Sequence, residues 1–213
     1  MRIVVNDIAA SSGGALTVLK SFYRYVRDFD QGNEWIFLLG GDLLDETSNI
    51  RTIVLPEVKN SWLRRLYFDL ISGRRLISQL MPDSVLSLQN TYTYGLRCPQ
   101  IVYVHQSLPF QRSQTFRPWR RDERLLAVYQ YFIGAVIKQS IRRADHVIVQ
   151  TRWMRDAIRE QVGKESARVT CVPPDRDDLS AYTLKRSINS SASFIYPTAD
   201  HIYKNNGCVY SAC

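Results

Sequence analysis

The chain has 213 residues, 45% of them hydrophobic and 23% charged, a balance that excludes collagen-like and low-complexity classes and fits a globular protein with one large core or one domain plus part of another. Its 28 Lys and Arg against 20 Asp and Glu give a net charge of +8, which favours acidic partners such as phosphates or anionic lipid head groups. The four cysteines, Cys98, Cys171, Cys208 and Cys213, form no C-x-x-C pair, which argues against a disulfide scaffold or zinc site and for a reducing, cytoplasmic setting.

"RIVVND" (2–7) reads as a first strand, and its apolar run is too short for a secretory leader. The loop "IAASSGG" leads into an amphipathic helix from Ala15 to Val26, followed by strands "EWIFLLG" (34–40) and "RTIVLPE" (51–57). From Ser61, a candidate N-cap, to Met81 the residues Leu63, Leu66, Tyr67, Leu70, Ile77 and Met81 recur at helical spacing and predict one helix with that stripe inside. "DSVLSLQN" (83–90) and "QIVYVHQ" (100–106) are strand-like. A long helix follows over 122–144; its run "LLAVYQYFIGAVI" is too short to span a membrane and contains Gln130, so it predicts a buried helix. "DHVIVQT" (145–151), the helix 152–163 ending on Gly163, and the strand "RVTCVPP" (168–174) complete the series.

Short strands that are apolar on both faces and separated by helices predict a parallel sheet covered on each side. The fold class is therefore α/β, a doubly wound, Rossmann-like sheet over residues 1–174. The polar, serine-rich stretch 175–193 reads as a linker, and 194–213 as the incomplete start of a second Rossmann-like domain.

Ligands of such sheets sit outside the carboxyl ends of the strands. Gly13 and Gly14, ahead of the first helix, let an anion approach backbone N–H groups, or simply make a turn. The loop is not G-x-G-x-x-G, which argues against a nicotinamide cofactor. His105 ends a central strand, where a neutral imidazole can meet a sugar hydroxyl or a developing positive centre; a satisfied core histidine is the plainer alternative. His146 starts a strand and reads as structural, and His201 as solvated. Gln89 and Asn90 end their strand in the layer of His105, placed to read hydroxyls or to cap a turn. Lys204, in "YKNN", can face a phosphate or remain in solvent. Arg64, Arg65 and Arg75 fall opposite the apolar stripe, and Arg112, Arg117, Arg120, Arg121 and Arg124 interleave with Phe116 and Trp119. Both stretches suit an anionic membrane surface or solvent. No recognised RNA or DNA module accompanies the charge, so no nucleic-acid partner is expected.

In "MRIVVNDIAASSGGALTVLKSFY", "DSVLSLQNTYTYGL", "PQIVYVHQSLPF", "ADHVIVQTRWMRDAI", "VTCVPP" and "FIYPTADHIYKNN" the chain resembles the N-terminal half of a family-4 glycosyltransferase of the two-domain GT-B architecture. The resemblance implies a retaining transfer of sugar from a nucleotide-sugar donor to a polysaccharide or lipid-linked acceptor, with no metal and no further cofactor. By the same resemblance Gly13 and Gly14 match the loop near the donor diphosphate, His105 the histidine that points at the sugar, and Lys204 the lysine that pairs with the diphosphate. The family's arginine shortly before that lysine is absent here, the stretch reading Pro197-Thr198, and its acidic segment with two glutamates has no counterpart before Cys213. The chain is accordingly read as a fragment, inactive without the missing half and cytoplasmic with peripheral contact at the inner membrane face. The competing reading is a non-catalytic Rossmann-like domain that associates with anionic membrane.

Overall fold

The computed structural model describes residues 1–163, 165, 168–173 and 206–211. In chain order they form β1 (Arg2–Asp7), α1 (Gly13–Phe29), β2 (Glu34–Leu39), β3 (Ile50–Val54), α2 (Pro56–Lys59), α3 (Trp62–Tyr67), α4 (Gly73–Gln79), β4 (Ser84–Ser87), β5 (Gln100–Val104), α5 (Arg124–Ala127), α6 (Gly134–Arg143), β6 (His146–Val149), α7 (Arg152–Val162), β7 (Val169–Cys171) and α8 (Asn206–Tyr210). A π-helical segment, Phe68–Ser72, joins α3 to α4, and a second, Val128–Ile133, joins α5 to α6. The chain divides into two compact units, Met1–Asp175 and Arg176–Cys213. In the second, α8 is the described element, and Lys204, His201 and the linker lie outside the described residues.

The expected doubly wound parallel sheet is what the chain forms. Its seven strands run in the order β3-β2-β1-β4-β5-β6-β7, every pair parallel. Period-two alternation sorts the central side chains between two layers. Val5, Phe37 and Leu39 pack with Leu19, Tyr23 and Val26 of α1, whereas Val4, Ile36 and Leu38 pack with Phe68 and Ile77 on the opposite face. A third cluster sets Val102, Val104, Val147 and Val149 against α6 and α7. The strand order reverses between β1 and β4, and the crevice created there opens at the carboxyl ends of those strands.

Three expectations need correction. β3 stops at Val54 because Pro56 opens α2 in its first turn, where a fixed φ and a missing N–H cost nothing. The stretch 61–81 is not one regular helix, and its inner face is not the expected stripe. Ile77 is buried and Leu66 half-buried, but Leu63, Tyr67, Leu70 and Met81 are exposed, and Phe68, Asp69 and Gly73 face the sheet. The inner face runs through Trp62, Arg65 and Leu66, Asp69, Gly73, Ile77 and Leu80 at helical spacing, and Leu63, Tyr67 and Leu70 lie on the neighbouring outer face because apolar residues occupy two sides of this helix. Ser61 takes the N-cap position but makes no side-chain cap bond; Thr151 does cap α7, accepting from the Met154 N–H at 3.2 Å.

The helix over 124–143 is likewise only half buried. Ala127, Gln130, Ile133 and Ile137 face inward, while Leu125, Val128, Tyr131 and Phe132 face outward. Gln130 earns its buried place by clamping the preceding loop: its carbonyl accepts from the Phe116 N–H at 2.9 Å and its amide donates to the Gln114 carbonyl at 2.9 Å. No described helix is long and apolar enough to cross a membrane.

Gly73 ends the first π segment because nothing larger fits: a Cβ there would lie 2.7 Å from the Phe68 carbonyl oxygen and 2.8 Å from its ring. Gly73→Ala is expected to lower stability in a urea melt by about 1–3 kcal/mol, the usual cost of overpacking. An unchanged midpoint would show that the π turn yields freely.

Candidate functional site

At the crevice between β1 and β4 lies a pocket of about 240 Å³, roughly the volume of eight waters. Ala9 comes from the loop after β1, Gln89, Asn90 and Thr91 from the loop after β4, and His105 and Gln106 from the end of β5. One wall is Trp62, Arg65, Leu66 and Asp69; the other is Tyr129, Ile133, Val136 and Ile137 of the long helix, with Ala15 of α1 at the rim. A larger open depression of about 710 Å³, lined by Arg74, Arg75, Arg97 and Cys98 among others, sits by the loops that enter β4 and β5, at the amino ends of the strands. The parallel-sheet rule places ligands at the other edge.

His105 and Asn90, singled out in the sequence, meet in this pocket. The Asn90 Oδ1 accepts from the backbone N–H of His105 at 2.8 Å and of Gln106 at 2.9 Å. Two donors on that oxygen fix the amide orientation, so the Asn90 Nδ2 faces the imidazole Nε2 at 3.3 Å and donates to it. Nε2 is thereby the acceptor, and the neutral ring carries its proton on Nδ1. Nδ1 is buried with no hydrogen-bond partner among the described residues, and burial lowers the pKa of the ring below its ordinary 6.5. The geometry holds a neutral, oriented imidazole. Asn90 achieves it with a backbone φ of +70°, a left-handed conformation that Asn tolerates better than other residues with a Cβ.

Asp69 was not singled out in the sequence, where it stood as one polar residue inside an apolar helical pattern. It is 3% exposed and accepts from the Thr91 hydroxyl at 2.6 Å, the Gln89 amide at 3.3 Å and the Asn6 amide at 3.4 Å. Gln89 in turn accepts from the Ala9 N–H at 3.2 Å. One carboxyl group therefore ties together the loops after β1 and β4. Burial raises its pKa to about 7 against the pull of those hydrogen bonds, and burial alone raises Asp7, at the end of β1, to about 7.

Gly13 opens α1 with φ +61°, and a Cβ on Gly13 or Gly14 would meet nothing within 4 Å. The glycines do not line the pocket themselves, and the adjoining Ala15 does. Of the three arginines placed opposite the apolar stripe, Arg65 lines the pocket instead, Arg75 borders the depression at the far edge, and Arg64 donates to the Glu57 carbonyl at 3.2 Å. They do not form one basic face. His146 bonds the Thr170 hydroxyl at 2.8 Å, away from the pocket. Among the described residues no group of three or more His, Cys, Asp or Glu is arranged to hold a metal ion.

The pocket pairs a polar floor of amides, hydroxyl and carboxyl with walls of Trp62, Tyr129 and aliphatic side chains. Such a lining suits a small polyol, whose hydroxyls need partners and whose ring faces are apolar.

The family model for Glycosyltransferase Family 4 matches residues 12–175. Among solved structures, a lipopolysaccharide outer core galactosyltransferase, WaaB in its apo form, is 16% identical over 81% of this chain and 45% of its own, with a TM-score of 0.46. The chain thus spans less than half the length of that enzyme. The E. coli heptosyltransferase WaaC with ADP-2-deoxy-2-fluoro heptose is 10% identical over 81% of this chain and 76% of its own, with a TM-score of 0.30. No curated protein matches the chain.

Proposed function

Because the chain belongs to glycosyltransferase family 4, we propose that the pocket at the β1/β4 crevice receives substrate in the transfer of a sugar from a nucleotide-sugar donor, with retention, to a hydroxyl of a polysaccharide or lipid-linked acceptor. In that reaction the bond from the anomeric carbon to the diphosphate oxygen breaks and a bond to the acceptor oxygen forms on the same face. The hydroxyl proton leaves with the diphosphate or passes to water. The observation that carries the reading is the Asn90–His105 pair, held in one orientation beside Asp69 and aromatic walls in a space the size of one sugar ring.

A neutral imidazole at that point adds no charge to compete with a developing positive centre, and its Nδ1–H is a donor for a sugar oxygen. Its Nε2 is engaged by Asn90, so His105 acts as an oriented dipole rather than as a proton carrier. Gly13 and Gly14 open α1 towards the donor diphosphate.

The test is transfer from a panel of labelled nucleotide sugars to lipid extract and to oligosaccharides. In a complete enzyme that joins this half to a nucleotide-sugar domain, His105→Ala is expected to lower turnover tenfold or more, on the order of a lost transition-state contact, while the melting transition stays cooperative. Turnover unchanged by that substitution would return His105 to a packing role.

A further inference from the structure

The outward faces of two helical segments carry side chains that the fold leaves in water. On the segment 62–72 the exposed residues are Leu63, at 67%, with Tyr67, Leu70 and Ile71; on the segment 124–133 they are Leu125, Val128, Tyr131 and Phe132, at 55%. Single exposed apolar residues are ordinary. Here they recur at spacings of three and four, so each segment presents one apolar outer stripe. The segments meet where Trp62, a wall of the pocket, packs edge-to-face on Phe132 with ring centroids 5.1 Å apart. The apolar surface thus begins at the pocket wall and extends outward along both helices.

Arginines border it. Arg64 flanks Leu63, and the loop before α5 brings Arg117, Arg120, Arg121 and Arg124 around Trp119, which is 73% exposed. Arg120 pairs with Asp122 and Glu123, while among the described residues Arg117 and Arg121 have no ion pair. That loop is anchored at Phe116, which is buried and bonded to Gln130, and it runs directly into the segment 124–133.

We infer that these two stripes and the arginine loop form a docking face for an anionic lipid bilayer, seating apolar side chains at the head-group boundary with the pocket opening at its edge. Tyr67, Tyr131 and Trp119 have the amphipathic rings that settle at such a boundary. Arginines with free charge supply the attraction to acidic head groups. The inference rests on the glycosyl-transfer reading only in its choice of acceptor, one carried on lipid; the docking itself is independent of turnover.

The experiment is co-sedimentation of the whole chain with vesicles of phosphatidylcholine alone and of phosphatidylcholine mixed with phosphatidylglycerol, alongside Trp emission and size-exclusion chromatography. Binding is expected only with the anionic vesicles, weakening as salt rises, with a blue shift that Trp119→Phe diminishes. Leu63→Glu with Phe132→Glu, and separately Arg117→Glu with Arg121→Glu, are each expected to cut the bound fraction tenfold or more. The arginine variant touches no packed side chain, which keeps the test valid should the first pair disturb the fold. Equal binding by all variants, or no binding to either vesicle, overturns the inference. A concentration-dependent dimer abolished by Leu63→Glu, with no vesicle binding, assigns the face to a second copy of the chain instead. If vesicles bind while neither nucleotide sugar nor oligosaccharide binds the pocket, the docking face stands and the transfer reading falls.

Discussion

Asn90→Ala is expected to lower stability by about 3–5 kcal/mol and to abolish sugar binding in the pocket. Three losses combine. The backbone N–H groups of His105 and Gln106 lose their acceptor, at about 1–2 kcal/mol for each partly buried donor left unmade. Alanine at φ +70° adds about 1 kcal/mol of backbone strain. The imidazole loses the amide that holds its Nε2 and fixes its tautomer. Two companion variants separate these effects. Asn90→Gly removes the strain but restores no hydrogen bond, so it is expected to recover about 1 kcal/mol in a urea melt and no binding. Asn90→Asp keeps an acceptor for both backbone donors but sets a carboxylate against Nε2, which then gains from being protonated. Its His105 pKa, followed by NMR of the ring protons, is expected to rise above that of the wild type. A melt in which Asn90→Ala matches the wild type would show that the bracket is dispensable.

The pair was legible in the sequence because its placement follows from topology. Strands with apolar residues on both faces imply parallel pairing, parallel pairing places ligands at carboxyl ends, and His105 and Asn90 stand where two such strands stop. Asp69 was not legible. A lone carboxyl inside a run of leucines and tyrosines reads as a solvent-facing residue on the polar side of a helix. It faces inward instead, on the same helical face as Leu66, Gly73 and Ile77, and meets Thr91 and Gln89. Leu63, Tyr67 and Leu70 point outward on that helix and Arg65 lines the pocket rather than the expected solvent face; with apolar residues on two sides, the pattern hides which side is the inner one. Gln130 offered a weaker clue: a glutamine in an oily helix signals a partner, and the partner proved to be the backbone of the arginine loop rather than a ligand. Periodicity thus located every strand of the sheet and failed where a helix carries apolar residues on two faces.

Stability is expected to fall as pH rises through the range in which Asp69 titrates. Burial holds its carboxyl at about 7 in the folded protein, against about 3.9 for an unfolded aspartate. Between these values the folded state keeps a proton that the unfolded chain has released, so raising pH favours unfolding, and the effect levels off above about 7. Integrated from about pH 5 to about pH 8, Asp69 alone accounts for about 2–3 kcal/mol. Asp7, also raised to about 7, adds a contribution of the same sign. His105 works in the opposite sense: its lowered folded pKa means that the unfolded chain takes the proton first as pH falls below about 6.5, removing stability on the acid side. Two carboxyls against one imidazole leave a maximum on the acid side of neutrality. Asp69→Asn removes one titration and mismatches the donors of Thr91, Gln89 and Asn6, whose bonds all end on the carboxyl. It is expected to be less stable than the wild type near pH 5, with a flatter pH dependence that narrows the difference by pH 8. Urea midpoints across this range measure it, with Asp7→Asn as the parallel variant that leaves the pocket network intact. Parallel curves for wild type and Asp69→Asn would mean that Asp69 is ionised in the folded protein throughout. Its three donors would then outweigh burial, and the loops after β1 and β4 would be tied by a carboxylate rather than by a neutral acid.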